Sequence, residues 1–193
     1  MDQMQIIEIV AATIGIIYVW LEMRASRWLW PVGIVLPLFY IYISWESRVY
    51  GNIVVNVYYI IACILGWIAW HRSRGEAGDD TAGIRYMPGR TALITLLIAV
   101  AGVVLITPLL KHYMGSPYPI WDGIATSVSL VGMWLLAKKY IETWYCWILS
   151  NVIYCTLYFL QGFTVTGYFF VVYSVVAVLG WYRWHKLGKQ PEA

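Results

Sequence analysis

Trp144, Trp147, Asn151, Tyr154 and Tyr158 recur at intervals of three and four within "KKYIETWYCWILSNVIYCTLYFLQG", Lys138 to Gly162. At about 100° per residue, those intervals place all five on one stripe of a helix. The chemistry such a stripe offers is recognition. Indole and phenol rings stack on a flat heterocycle, and an amide or phenol hydrogen-bonds its hydroxyl or amino substituents. A second stripe runs through Asn52, Asn56, Tyr59, Cys63, Trp67 and Trp70, and a third through Trp30, Gly33, Pro37, Tyr40 and Ser44. A lipid-facing stripe would be aliphatic, because a buried amide without a partner is costly. Three aromatic-polar faces therefore predict a shared cavity. The binding candidates are Trp30, Asn56, Tyr59, Trp144, Trp147, Asn151 and Tyr154. Glu8, about one and a half turns into the first apolar segment, adds a carboxylate to pair with a cationic substrate or carry a proton.

Each candidate also has a plainer reading. Trp144 lies close to Lys138 and Lys139 and fits an interfacial belt equally well. Trp70 and Trp184, beside His71 and His185, fit a belt better than a site. Asn56 and Asn151 would serve as interhelical glue, at about 1 kcal/mol each. Gly33, Gly66 and Gly180 read as close-packing positions, and Pro31 and Pro37 as kinks in the second helix. Glu8 fits the outer interface as readily as a site. Glu22, Glu46, Asp122 and Glu142 fall at segment ends, where carboxylates are cheap.

The sequence contains no nucleophile–base pair, Gly-rich phosphate loop or zinc spacing. His71, His112 and His185 form no cluster, and Cys63, Cys146 and Cys155 lie inside apolar segments as free thiols. No cofactor, metal or nucleic-acid partner is expected, and the chain does not read as an enzyme.

The elements that must carry these stripes follow from composition. Of 193 residues, 61% are hydrophobic and 12% charged, with a mean hydropathy of +0.67. A soluble domain of this length needs far more polar surface. Aromatic content is 17%, including 12 Trp, beyond what interfacial belts require. Apolar runs of roughly twenty residues span a bilayer as helix, and seven are placed at about 4–22, 28–45, 50–70, 91–110, 121–137, 141–160 and 164–184. The first follows "MDQMQ", which lacks the basic start of a signal peptide, and reads as a retained helix. Eleven of the 13 Lys and Arg residues fall in alternate connections and the C-terminal tail, leaving Arg48 and Lys111 on the other side. That asymmetry predicts an outside N-terminus and an inside C-terminus.

An internal repeat is also legible. "GWIAWHR" (66–72) closes the third helix and "GWYRWHK" (180–186) the seventh, while Gly15 and Trp30 are spaced as Gly132 and Trp147 are. The expectation is an all-α polytopic membrane protein: two parallel three-helix repeats, 1–72 and 116–193, flanking a linker and connecting helix at 73–115. In transporters such an arrangement places the substrate path at the repeat interface.

Together with "IIEIVAATIGIIY", "YPIWDG", "KKYIETWYCWILSNV" and "GWYRWHK", this organisation resembles the PnuC family of bacterial nicotinamide riboside transporters over nearly the whole chain. The resemblance implies a fold like that of the SWEET sugar transporters, a homotrimer in the bacterial inner membrane surrounded by lipid, and energy-independent facilitated diffusion of an NAD precursor with a cytosolic kinase trapping the product. It assigns the W-x-x-W pattern, Trp144 and Trp147, to substrate binding, with Asn151 following. Two positions depart from the family pattern. Asn56 stands for a glutamine in the third helix, and Leu36 for an asparagine in the second, which changes the reach and number of polar groups. A sister group within the family carries thiamine, so thiamine is the alternative substrate. From other classes, a membrane enzyme acting on lipid would need clustered His, Asp or Glu, and a scaffold or receptor would need no repeated aromatic face.

Overall fold

A computed structural model describes residues 3–46, 50–72 and 80–188 of the chain. Among them the side chains of 3–12, 43–44, 46, 50–52, 54 and 165 are not described. The side chains of Glu8, Ser44 and Asn52 thus lie outside the described set. The described residues form seven helices: α1 (Gln3–Met23), α2 (Leu29–Glu46), α3 (Tyr50–Arg72), α4 (Gly89–His112), α5 (Pro119–Ala137), α6 (Thr143–Leu160) and α7 (Thr164–Leu187). Each coincides with an apolar run expected from the sequence. Among the described residues there is no sheet, only an isolated bridge between Arg85 and Tyr140. Pro37 and Pro108 are accommodated inside α2 and α4.

The chain divides into two compact units, Met1–Gly83 and Ile84–Ala193. In the first, α2 packs against both α1 and α3; in the second, α4, α5, α6 and α7 pack in sequence order. The α4–α5 contact is built on small residues. A Cβ on Gly102 would fall 2.2 Å from Ser127 Oγ, and one on Gly123 would fall 2.3 Å from Thr107 Oγ1. Ser127 also donates to the Ala99 carbonyl at 2.7 Å. Close backbone approach with interhelical hydrogen bonds is how helices associate where burial from water supplies no drive. Outward, α4 exposes Leu93, Ile94, Leu96, Leu97, Val100, Val104 and Leu105. An apolar face of that extent is matched to lipid rather than water, and α4 and α5 are each long and apolar enough to cross a membrane.

Each unit turns the chain by the same device, after α1 in the first and after α5 in the second. α1 closes with Ala25 at φ 52 and α5 with Lys139 at φ 56, both in the left-handed region. In the first turn Ser26 N–H reaches the Leu21 carbonyl and Ala25 N–H the Glu22 carbonyl, each at 2.9 Å. In the second, Tyr140 N–H reaches Leu135 at 3.0 Å and Lys139 N–H reaches Leu136 at 2.9 Å. This is the Schellman closure, which satisfies the last helical carbonyls. The same shift in numbering that carries Gly66 to Gly180 carries Ala25 to Lys139.

The linker engages each turn. In the first unit Asp80 Oδ2 accepts from Arg27 N–H at 3.3 Å. In the second, the equivalent amide, Ile141 N–H, donates to the Arg85 carbonyl at 3.1 Å, and Arg85 N–H donates to Lys139. Met87 N–H donates to both carboxylate oxygens of Glu142, at 3.1 and 3.0 Å. The neighbouring Tyr86 hydroxyl hydrogen-bonds His185 Nδ1. Partial desolvation, then the charges of Tyr145 and Glu142, push the Tyr86 phenol above its usual range. Glu142 is therefore more than a cheap carboxylate at a helix end, because it ties the linker to α6.

Candidate functional site

The W-x-x-W pair of α6 divides into two different roles. Trp144, in the first turn, is 1% exposed. Its ring lies over Gly180 of α7, where an added Cβ would come within 2.3 Å of Cη2. It meets Trp184 edge to face, with centroids 5.6 Å apart at 85°. Its Nε1 is buried with no hydrogen-bond partner among the described residues, so the ring serves packing. The first unit repeats the construction. Trp30 of α2 is 0% exposed, covers Gly66 of α3 with a would-be Cβ 2.4 Å from Cη2, and meets Trp70 at 5.5 Å and 87°.

Sequence spacing had matched Trp30 with Trp147; the structure matches it with Trp144. Two tryptophans one turn apart share a helix face, and only the glycine beneath each distinguishes them. Trp70 and Trp184, expected as belt residues, are 2% and 0% exposed and belong to these sealed pairs. Glycines 66 and 180 are close-packing positions, as expected.

Trp147, one turn further along α6, is half-buried. Its ring edge lies on Gly132 of α5, 3.5 Å from an added Cβ. Asn151 follows on the same face, also half-buried, with no hydrogen bond to its amide among the described residues. A further turn brings Tyr154, whose hydroxyl lies 3.1 Å from Thr126 Oγ1 of α5 and whose ring meets Phe170 of α7 at 5.4 Å. Tyr158 stacks on Phe170 at 5.2 Å and 20°. The predicted α6 stripe thus forms one continuous aromatic-amide face in the second unit. Beyond the sealed ring of Trp144, the amide of Asn151 is the polar group along it without a hydrogen-bond partner among the described residues.

In the first unit, Asn56 of α3 is 6% exposed and Cys63 0% exposed, with half-buried Tyr59 between them. Tyr59 meets Tyr58 edge to face at 5.7 Å. The sequence overlooked Tyr18 of α1. It sits within electrostatic reach of Tyr59, Cys63 and Glu22, and Glu22 is itself 3% exposed rather than at an open helix end. Tyr18 fell outside the three stripes because α1 carries no second polar aromatic at helical spacing to flag it. Other stripe members part company. Trp67 stacks with His71 at 6.4 Å beside Trp28, and Tyr40 is 46% exposed. No cluster of three or more His, Cys, Asp or Glu able to hold a metal occurs among the described residues.

Long apolar helices that carry aromatic and polar faces are what a membrane-embedded protein presents. Residues 5–186 match the family described as nicotinamide mononucleotide transporter, and the chain belongs to that family, the PnuC family. It is a membrane protein and a transporter, not an enzyme. It is 24% identical over 178 residues to the riboflavin/roseoflavin transporter RibM of Streptomyces davaonensis, covering 92% of this chain and 83% of that one. With the nicotinamide riboside transporter PnuC of Neisseria mucosa it shares 27% over 191 residues, 94% of this chain and 72% of the relative. The Escherichia coli nicotinamide riboside transporter PnuC is 24% identical over 166 residues, 74% and 69% of the two chains. A crystal structure of the vitamin B3 transporter PnuC superposes with a TM-score of 0.73 at 26% identity, covering 93% of this chain and 80% of that one.

Proposed function

We propose that the protein imports nicotinamide riboside across the bacterial inner membrane by facilitated diffusion with alternating access. The observation that carries this reading is the Asn151 amide, half-buried and without a hydrogen-bond partner among the described residues, one turn from the half-buried ring of Trp147. A stacking surface beside an amide donor and acceptor suits a planar ring bearing hydroxyl and amide groups. Asn56 and Tyr59 are the polar contributors from the first unit, and Tyr154 lies further along α6. Trp30 and Trp144 hold the frame behind these contacts. Glu8 remains the proposed charge partner for a cationic ring. The chain runs with its N-terminus outside and C-terminus inside, as a repeat of 1–72 and 116–193 about the 73–115 connection. It works as a homotrimer, with a cytosolic kinase consuming the product. No ion site is required of a uniporter.

Riboflavin is the second reading, favoured by the RibM likeness over most of both chains. Thiamine, carried by a sister group, is the third. Calorimetric titration of the purified protein with each vitamin separates them. Riboside binding abolished in Trp147→Ala and Asn151→Ala supports the main reading. Binding of riboflavin or thiamine alone keeps the site and changes the cargo. Binding of none of the three, together with no flux into proteoliposomes, overturns the transport assignment for these vitamins.

A further inference from the structure

One turn beyond the sealed tryptophans, each unit places one aromatic ring against one glycine, but from opposite helices. In the first unit the ring is Tyr18 of α1 and the glycine is Gly33 of α2. A Cβ on Gly33 would stand 2.8 Å from Tyr18 Cε2 and 3.1 Å from Cys63 Sγ. The shift in numbering that relates the sealed pairs converts Tyr18 to Gly132 and Gly33 to Trp147. In the second unit, accordingly, the ring comes from α6 and the glycine from α5, with a Cβ on Gly132 2.9 Å from Cys146 Cβ and 3.5 Å from Trp147 Cη2.

Ring and glycine have exchanged helices while the crossing stays filled. Volume conservation alone would account for a ring in each place, but two features go beyond it. Both rings are half-buried, whereas Trp30 and Trp144, a turn away, are sealed at 0% and 1%. Tyr18 also carries a hydroxyl, on a ring that shares the Gly33 crossing with Cys63 Sγ, and packing alone does not call for that polar group.

We propose that Tyr18 is a substrate-contacting residue, the first unit's counterpart of Trp147. Its ring packs on the flat ring system of the vitamin and its hydroxyl hydrogen-bonds the polar appendage. The assignment rests on the reading of Trp147 as a substrate contact.

The test is calorimetric titration of nicotinamide riboside, thiamine and riboflavin into the wild type, Trp147→Leu, Tyr18→Leu and Tyr18→Phe. Tyr18→Leu is expected to weaken binding of the cargo vitamin about tenfold or more, and Tyr18→Phe, which keeps the ring, by about threefold. Unchanged affinity in both Tyr18 variants, with binding lost in Trp147→Leu, overturns this assignment and leaves the transport reading standing. A wild type that binds none of the three overturns both together. Should Tyr18→Leu fail to fold, the alkylation rate of Tyr18→Cys, followed by mass spectrometry of its peptide, supplies a second reading. Slowing by saturating cargo vitamin supports the contact, and an unchanged rate overturns it.

Discussion

In the first unit, Trp30 lies edge-on to Trp70 over Gly66; in the second, Trp144 lies edge-on to Trp184 over Gly180, at nearly the same separation and angle. Below each pair the chain reverses through a left-handed residue with the same two hydrogen bonds. A turn further along, the correspondence stops. Tyr18 faces Gly33 in one unit and Trp147 faces Gly132 in the other, and Asn151 of the second unit corresponds to Pro37 of the first. Likeness is retained where the residues only pack, and lost where rings and amides stay partly open. The measurements below test whether that contrast separates packing residues from contact residues.

The largest effect tests the symmetric part. Removing a fully buried tryptophan costs about 3–5 kcal/mol, so Trp30→Ala and Trp144→Ala should both lower the thermal unfolding midpoint steeply, and by similar amounts. A Trp144→Ala protein that unfolds near the wild-type temperature would break the equivalence and return Trp144 to the substrate face. The divergent part should respond in the opposite way. Trp147→Ala and Asn151→Ala are expected to cut riboside uptake by more than about half, with a smaller fall in unfolding midpoint than Trp144→Ala, because one loses a stacking surface and the other a hydrogen-bond partner worth about 1–3 kcal/mol of binding. Full uptake in both variants would remove the proposed contact from α6.

Much of this was legible in the sequence because lipid imposes a simple rule: apolar runs must be helices of bilayer length. All seven described helices follow from it, and "GWIAWHR" with "GWYRWHK" flags the two matching tryptophan–glycine packings. The α6 stripe was legible too, since Trp147, Asn151 and Tyr154 share a face at regular intervals. The register between repeats was not. Trp144 and Trp147 are equally good matches to Trp30 until the glycines beneath them are known. Tyr18 was invisible for a related reason: its equivalent is a glycine, and a ring that changes helix leaves no matching letter. The burial of Glu22 depends on the path after α1, which periodicity does not encode.

A smaller effect tests how the linker meets the two turns. The first is held by a side chain, Asp80, and the second by a backbone carbonyl, that of Arg85. Asp80→Ala should therefore cost about 1 kcal/mol, the typical net value of one hydrogen bond. Arg85→Ala keeps its carbonyl and loses only the placement of its guanidinium 5.3 Å over Tyr140, roughly 0.5 kcal/mol at an exposed site. Chemical denaturation of the pair in detergent measures the difference. Equal losses would mean that the linker is held by side chains in both places.

The smallest effect concerns the two left-handed residues. For an L-residue that conformation costs roughly 1–2 kcal/mol, which glycine avoids, while glycine's extra freedom in the unfolded chain returns about 0.4–1 kcal/mol. Ala25→Gly gains that relief but removes a methyl group that is 0% exposed, worth about 0.8 kcal/mol, and should leave stability nearly unchanged. Lys139→Gly gains the same backbone relief, but Lys139 is 3% exposed and engages other groups. Truncating a buried stem loses packing as well as charge. Lys139→Gly should therefore be destabilising, and it should lower the unfolding midpoint more than Ala25→Gly does. If the two variants shift the midpoint equally, the buried lysine stem contributes no more to folding than a methyl group, and the turns are alike in energy as well as in shape.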